Sequence, residues 1–166
     1  MATITLGGNT THTLGELPKE GTTAPNFQLA TKDLQHVSLE DFKGKRVVMN
    51  IFPSVDTGVC AASIRHFNKD ASNLEDTIVL CISRDLPFAQ ARFCGAEGLE
   101  NVVTLSDFKS GSFGKDYGLE IEDGAFAGLH SRVVIVLNED HKIIYREQVS
   151  EIGQEPNYEL ALNALN

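Results

Sequence analysis

The chain has 166 residues, with 14 Lys and Arg against 23 Asp and Glu, so its formal charge at neutral pH is −9. A surface of that sign repels phosphate backbones and anionic lipid, which argues against nucleic-acid and membrane-surface roles, and no stretch is apolar for long enough to span a bilayer. The length suits one domain over residues 1–166 with a core that needs no disulfide staples, and three cysteines with no pair at metal-ligand spacing argue against a secreted disulfide framework and a bound metal.

Met1 to Thr10 carries no Lys or Arg and no long apolar core, so neither a secretory signal nor a transit peptide is expected, and the expected location is cytoplasmic. In a reducing compartment the cysteines that matter are catalytic or redox-active.

In chain order, Thr3–Leu6 and Thr10–Leu14 are threonine-rich and alternate around Gly7-Gly8-Asn9, which predicts an N-terminal β-hairpin extension over residues 1–15. The glycine pair is no phosphate loop, because no helix or lysine follows where one is needed. A turn-rich connector, Gly15 to Asn26, leads to a short strand at Phe27–Ala30. Gln35–Val37 and a helical turn over Ser38–Phe42 follow, with Ser38 as its cap.

Val47 to Phe52 is an apolar run that predicts a central strand. Pro53-Ser54-Val55-Asp56-Thr57-Gly58-Val59-Cys60 directly follows it, and apolar residues then recur at Cys60, Ile64, Phe67, Ala71 and Leu74. Those steps of four and three match the helical period, so the stretch is a strand, a tight turn and a helix start, capped by Asp56 or Thr57. Thr77–Ile82 is a strand covered on both faces, and strand, helix, strand implies a right-handed crossover and a parallel pair. Asp85 and Pro87 open a helix through Phe88 to Cys94, Gly95 ends it, and Asn101–Leu105 is the next strand. Ser106 to Ser131 is glycine-rich with little periodicity, which predicts long loops and one helical turn, and loops of that length tend to be functional. Arg132–Leu137, the turn Asn138–Asp140 and Lys142–Tyr145 form a hairpin, so the sheet is mixed. Glu155-Pro156 opens a last helix.

Chemistry centres on Cys60. The first amides of a helix lack intrahelical partners and the dipole there is positive, so placement in a first turn favours thiolate over thiol, and the Thr57 hydroxyl is placed to donate to the sulfur. Working residues of open α/β sheets gather beyond the carboxyl ends of the parallel strands. If the Val133 strand runs antiparallel to those, its start lies at the same edge and puts Arg132 near the sulfur, where a guanidinium stabilises a thiolate and binds polar oxygens. Arg65 and Arg84 are expected to be solvated surface ion pairs. Cys81 lies inside an apolar strand and is expected to be inert. Of the three disulfides the cysteines allow, the residues favour Cys60 with Cys94, because a helix end can fray to expose a sulfur and a central strand cannot. The five histidines are scattered, and no metal is assigned.

PSVDTGVC resembles the peroxiredoxin active-site pattern of proline, three residues, threonine, two residues, cysteine, and FPSVDTGVCAASIRHFN is similar to the thiol peroxidase branch, the atypical 2-Cys peroxiredoxins. The likeness extends over the hairpin, SDF and FGKDYG in the loop, and SRVVIVLNEDHKIIY. The resemblance implies a thioredoxin-like fold, a mixed central sheet flanked by helices, and an enzyme that reduces hydrogen peroxide and especially alkyl hydroperoxides. Carried over by motif, Cys60 is the peroxidatic cysteine, Thr57 holds the thiolate and orients the peroxide, Pro53 shields the sulfenic acid, and Arg132 activates thiolate and peroxide. Cys94 is the resolving cysteine of an intramolecular disulfide that thioredoxin reduces, in a homodimer that needs no organic cofactor or metal. His130-Ser131 before the arginine departs from the pattern. The rival reading from another class is a non-enzymatic thioredoxin-fold redox sensor or chaperone module.

Overall fold

The structure is a computed structural model that describes residues 1–166. Its elements in chain order are β1 (Thr3–Leu6), β2 (Asn9–His12), β3 (Gln28–Ala30), β4 (His36–Ser38), a 3₁₀ turn (Leu39–Phe42), β5 (Arg46–Ile51), α1 (Gly58–Ala71), β6 (Thr77–Ser83), α2 (Pro87–Glu97), β7 (Val103–Ser106), α3 (Ser112–Asp116), β8 (Val133–Leu137), β9 (Ile143–Gln148) and α4 (Tyr158–Asn163). Strands β1 and β2 pair as the N-terminal hairpin, and the other seven form one sheet in the order β4-β3-β7-β6-β5-β8-β9. β5, β6 and β7 run parallel and β8 runs antiparallel to β5, so the sheet is mixed.

The alternation of side chains along β5 explains the layers. Val47, Met49 and Ile51 point to one face, where they join Leu80, Ile82, Val133, Ile135 and Leu137 in a core closed by Phe113, Tyr117 and Leu119. Val48 and Phe52 point to the other face and pack with Val79, Cys81, Val134 and Val136 against Cys60, Ile64 and Phe67 of α1 and Ala161 of α4. Both faces are covered, which is why the central strands are apolar at nearly every step. Phe67 has no solvent exposure, so truncating it to alanine would cost about 3–5 kcal/mol.

Several boundaries differ from the sequence expectation, each for a local reason. Helix α2 does not stop at Gly95 but continues to Glu97; Gly98, at φ +67°, takes the left-handed conformation and ends it. The last helix starts at Tyr158, because Asn157, not Glu155, caps it by accepting from the Leu160 amide at 3.0 Å. Thr57 rather than Asp56 caps α1. The long segment before Arg132 holds one helical turn, α3, and is fastened by isolated bridges of Glu120 to His130 and Ile121 to Thr13. Gly118, at φ +67°, lets the backbone of Glu16 approach where a side chain would collide.

Because β5, β6 and β7 are parallel, their carboxyl ends share an edge. The start of β8 lies at that edge too, with Ile51 opposite Val133 in the ladder.

Candidate active site

The shared edge carries a turn that Asp85 organises. Its carboxylate accepts from the Val55 amide at 2.9 Å, from Ser54 Oγ at 2.7 Å and from Ser83 Oγ at 2.6 Å. One side chain at the end of β6 thus fixes the segment that follows β5, with Pro53 buried at its start. At the exposed rim Arg92 of α2 meets Asp56 at 3.0 Å, which tethers the same turn to the helix that carries Cys94.

Cys60 is the third residue of α1 and has no solvent exposure. The Thr57 hydroxyl is not on the sulfur. It accepts from the Cys60 amide at 3.4 Å and donates to the Ser54 carbonyl at 3.2 Å. A capping hydroxyl has one proton, and here the turn uses it.

Arg132 is the residue that reaches the sulfur. It is 2 % exposed, and its Nη2 donates to Cys60 Sγ at 3.2 Å. Nε is anchored on the Ile152 carbonyl at 2.7 Å, and Nη1 is buried with no partner. A buried guanidinium with one donor on a sulfur and one donor free stabilises a thiolate and offers a hydrogen bond to a second ligand atom beside it. Below the sulfur, Ser63 Oγ donates to the Cys60 carbonyl at 2.8 Å and accepts from Asn50 Nδ2 at 3.2 Å, so polar atoms continue under the helix start into the core. Tyr158 of α4 closes the neighbourhood, stacked on His66 at 3.7 Å between ring centroids and edge-on to Phe67. Burial and a hydrogen bond to Glu155 push its phenol well up, so it stays a neutral donor.

The other two cysteines differ sharply. Cys81 is fully buried in β6, and burial pushes its thiol up to about 12, with Asn50 opposing and Cys94 adding. Cys94 is half-buried on α2, and burial raises its thiol while Lys32 acts the other way. It borders a groove of about 840 Å³ lined in part by Thr31, Lys32, Leu99 and Val102. All three cysteines are free. The structure therefore joins Cys60, Thr57, Pro53 and Arg132 at one edge and leaves Cys94 on a neighbouring helix, its sulfur unbonded.

Arg65 forms the exposed pair expected of it, with Glu97 at 2.7 Å. Arg84 does not: its side chain is one quarter exposed and is held by Glu120 and the Gly128 carbonyl. The sequence expectation gives Asp85 a place at the helix start alone, although an acid immediately beyond a parallel strand is a signal for this wider role, and it does not include Ile152. The Ile152 carbonyl offers no such signal, because backbone groups carry no sequence signature.

The redoxin family model matches residues 19–162. The chain is 56 % identical over 165 residues to the thiol peroxidase of Mycobacterium tuberculosis, covering 99 % of each chain. Among solved structures, a peroxiredoxin-like protein from Aquifex aeolicus superposes with a TM-score of 0.94 at 36 % identity, over 99 % of this chain and 96 % of that one. The thiol peroxidase from Chromobacterium violaceum gives 0.91 at 21 % identity over 98 % and 94 %, a likeness that speaks for the fold alone. The shared architecture is thioredoxin-like. Identity of that extent over nearly the full length of both sequences means that the chain belongs to the redoxin family, among the thiol peroxidases of peroxiredoxin type.

Proposed function

We propose that the chain reduces hydrogen peroxide and especially alkyl hydroperoxides through a Cys60 sulfenic acid and a Cys60–Cys94 disulfide that thioredoxin reduces. The observation that carries the reading is the 3.2 Å bond from Arg132 Nη2 to the sulfur, with Nη1 buried and unpartnered beside it. Nη2 holds the thiolate, and Nη1 supplies a donor to a peroxide oxygen. The Thr57 hydroxyl, its proton on Ser54, keeps a lone pair that accepts from the peroxide O–H. The thiolate attacks the terminal oxygen, the O–O bond breaks, and the alkoxide takes a proton and leaves as alcohol or water. Pro53, buried at the head of the turn, keeps bulk water from the sulfenic acid.

For resolution, the Cys94 thiolate attacks the Cys60 sulfur, the S–O bond of the sulfenic acid breaks, and the oxygen takes up the proton that the Cys94 thiol gave up and leaves as water. Cys94 must leave its place on α2 to do so, and burial there favours its unreactive thiol form. Opening the end of α2 removes that burial. Gly95 inside the helix, the absence of a side-chain cap at Leu86 and the absence of a basic residue in the last turn make this a weak helix. The first turn of α1 opens with it. Two electrons then come from a dithiol protein, because neither cysteine has a second one at Cys-x-x-Cys spacing. The protein acts in the cytoplasm as a homodimer; Leu86 and Phe88, 51 % and 64 % exposed at the start of α2, are apolar groups that a second copy would cover.

The test is turnover with thioredoxin, thioredoxin reductase and cumene hydroperoxide. The parent should consume peroxide catalytically and Cys60→Ser should not; equal rates would leave a redox sensor or chaperone as the better reading.

A further inference from the structure

The peptide group that joins Ile152 to Gly153 is gripped at both ends. Its carbonyl accepts from Arg132 Nε at 2.7 Å, and its N–H donates to Glu151 Oε2 at 2.8 Å. The same carboxylate accepts from the Gly8 amide at 2.9 Å, from the Gly7 amide at 3.3 Å and from Thr5 Oγ1 at 3.0 Å. One side chain therefore ties the turn of the N-terminal hairpin to the peptide that anchors the arginine. Backbone bonds run alongside, from Thr5 to the Ser150 carbonyl and from Ile152 to the Thr5 carbonyl, both at 2.8 Å. The Ile152 side chain is clamped between Ile4 of β1 and Ile121.

We propose that Glu151 is a positioning residue for the attack by Cys60: it fixes and polarises the Ile152–Gly153 peptide, which sets the Nε anchor of Arg132 and so the placement of Nη2 on the sulfur. Hydrogen bonds in series strengthen one another, and a carboxylate on the N–H makes the carbonyl at the other end a better acceptor for a guanidinium. Through this relay the N-terminal hairpin becomes part of the active site. The amides of Gly153 and Gly8 are the main reason the Glu151 carboxyl is held down to about 2, so the carboxylate is charged wherever the enzyme works. The inference rests on Arg132 being the group that stabilises the thiolate.

Plain electrostatics predicts the opposite sign, which makes the proposal testable. An anion near the sulfur disfavours thiolate, so simple removal of its charge should increase thiolate and speed the reaction. The relay predicts that Glu151→Gln slows both single-turnover oxidation by one equivalent of cumene hydroperoxide and alkylation by iodoacetamide at pH 6, each about tenfold. Glu151→Asp still reaches the amide two residues on, as aspartates in turns do, and should stay within about twofold of the parent. A Glu151→Gln protein as fast as the parent or faster overturns the proposal, and so do Gln and Asp variants that slow equally in step with a fall in Tm. Should Glu151→Gln fail to fold, Thr5→Val removes one donor from the carboxylate with little change of shape and should slow oxidation about threefold; an unchanged rate overturns the relay. Arg132→Lys is measured in parallel. If it oxidises like the parent, the reading of the arginine has failed; if it is slow while Glu151→Gln is not, the relay alone has.

Discussion

Replacing Arg132 by lysine keeps a buried positive charge and removes the fork. In the parent, Nε holds the Ile152 carbonyl at 2.7 Å while Nη2 holds Cys60 Sγ at 3.2 Å, two donors on a rigid plane. An ammonium is a single point on a flexible stem and cannot serve both acceptors in that geometry. Two unit charges 3.2 Å apart attract by about 5 kcal/mol at an effective dielectric of 20, and lysine keeps a good part of this. What it loses is one hydrogen bond to a charged group, about 1.5–3 kcal/mol. At about 1.4 kcal/mol per decade, oxidation of Cys60 should slow roughly 10- to 150-fold. Arg132→Met, which also discards the charge, should be slower again by at least about tenfold. The chain has no tryptophan, so the assay is rapid quench with one equivalent of peroxide, alkylation of the remaining thiol and intact mass. Circular dichroism establishes that each variant is folded. A folded Arg132→Lys protein within twofold of the parent would refute the claim that the guanidinium fork activates the sulfur.

Cys94→Ser should reduce one equivalent of peroxide and then stall with thioredoxin, whereas Cys81→Ser, whose parent thiol is held protonated up to about 12 by burial, should turn over as the parent does; equal damage from the Cys81 change would overturn the pairing. Acid stability follows from two carboxylates at the surface. Asp123, bonded to His12 and Thr11, and Glu151, bonded to the Gly153 and Gly8 amides, are each held down to about 2 from ordinary values of 3.8 and 4.5. Both are depressed in the folded state, so their contribution is complete above the ordinary values and is lost as pH falls through about 2. Tm should therefore drop between pH about 4.5 and 2, and less steeply in Asp123→Asn; parallel curves for the two proteins would remove that pair from the account.

The strands of the core were legible because their residues serve two layers at once. Val47 to Phe52, Thr77 to Ile82 and Val133 to Leu137 are apolar at every step but Asn50 and Thr77, and a covered sheet demands that. The parallel order of β5 and β6 also followed from sequence, because a helix between two strands permits few other connections. Boundaries were less legible where two residues competed for one task. Gly95 and Gly98 both suit a helix end, and only the packing of α2 beside β7 shows which one turns left-handed. Asp56 and Thr57 both suit the cap of α1, and Arg92 takes the first and leaves the second.

By itself the sequence determined that a cysteine opens a helix directly after a central strand, and that an arginine precedes another strand, which reaches the same edge only if that strand runs antiparallel. Those are local facts, set by period, caps and connection length. Tertiary structure decided how the two meet. The anchor for Arg132 is a main-chain carbonyl, and the carboxylate behind it reaches a hairpin turn more than a hundred residues away in sequence. No periodicity encodes a backbone acceptor or a contact of that span. They exist only once the seven-stranded sheet has brought its edge together and the hairpin has packed Ile4 against Ile152.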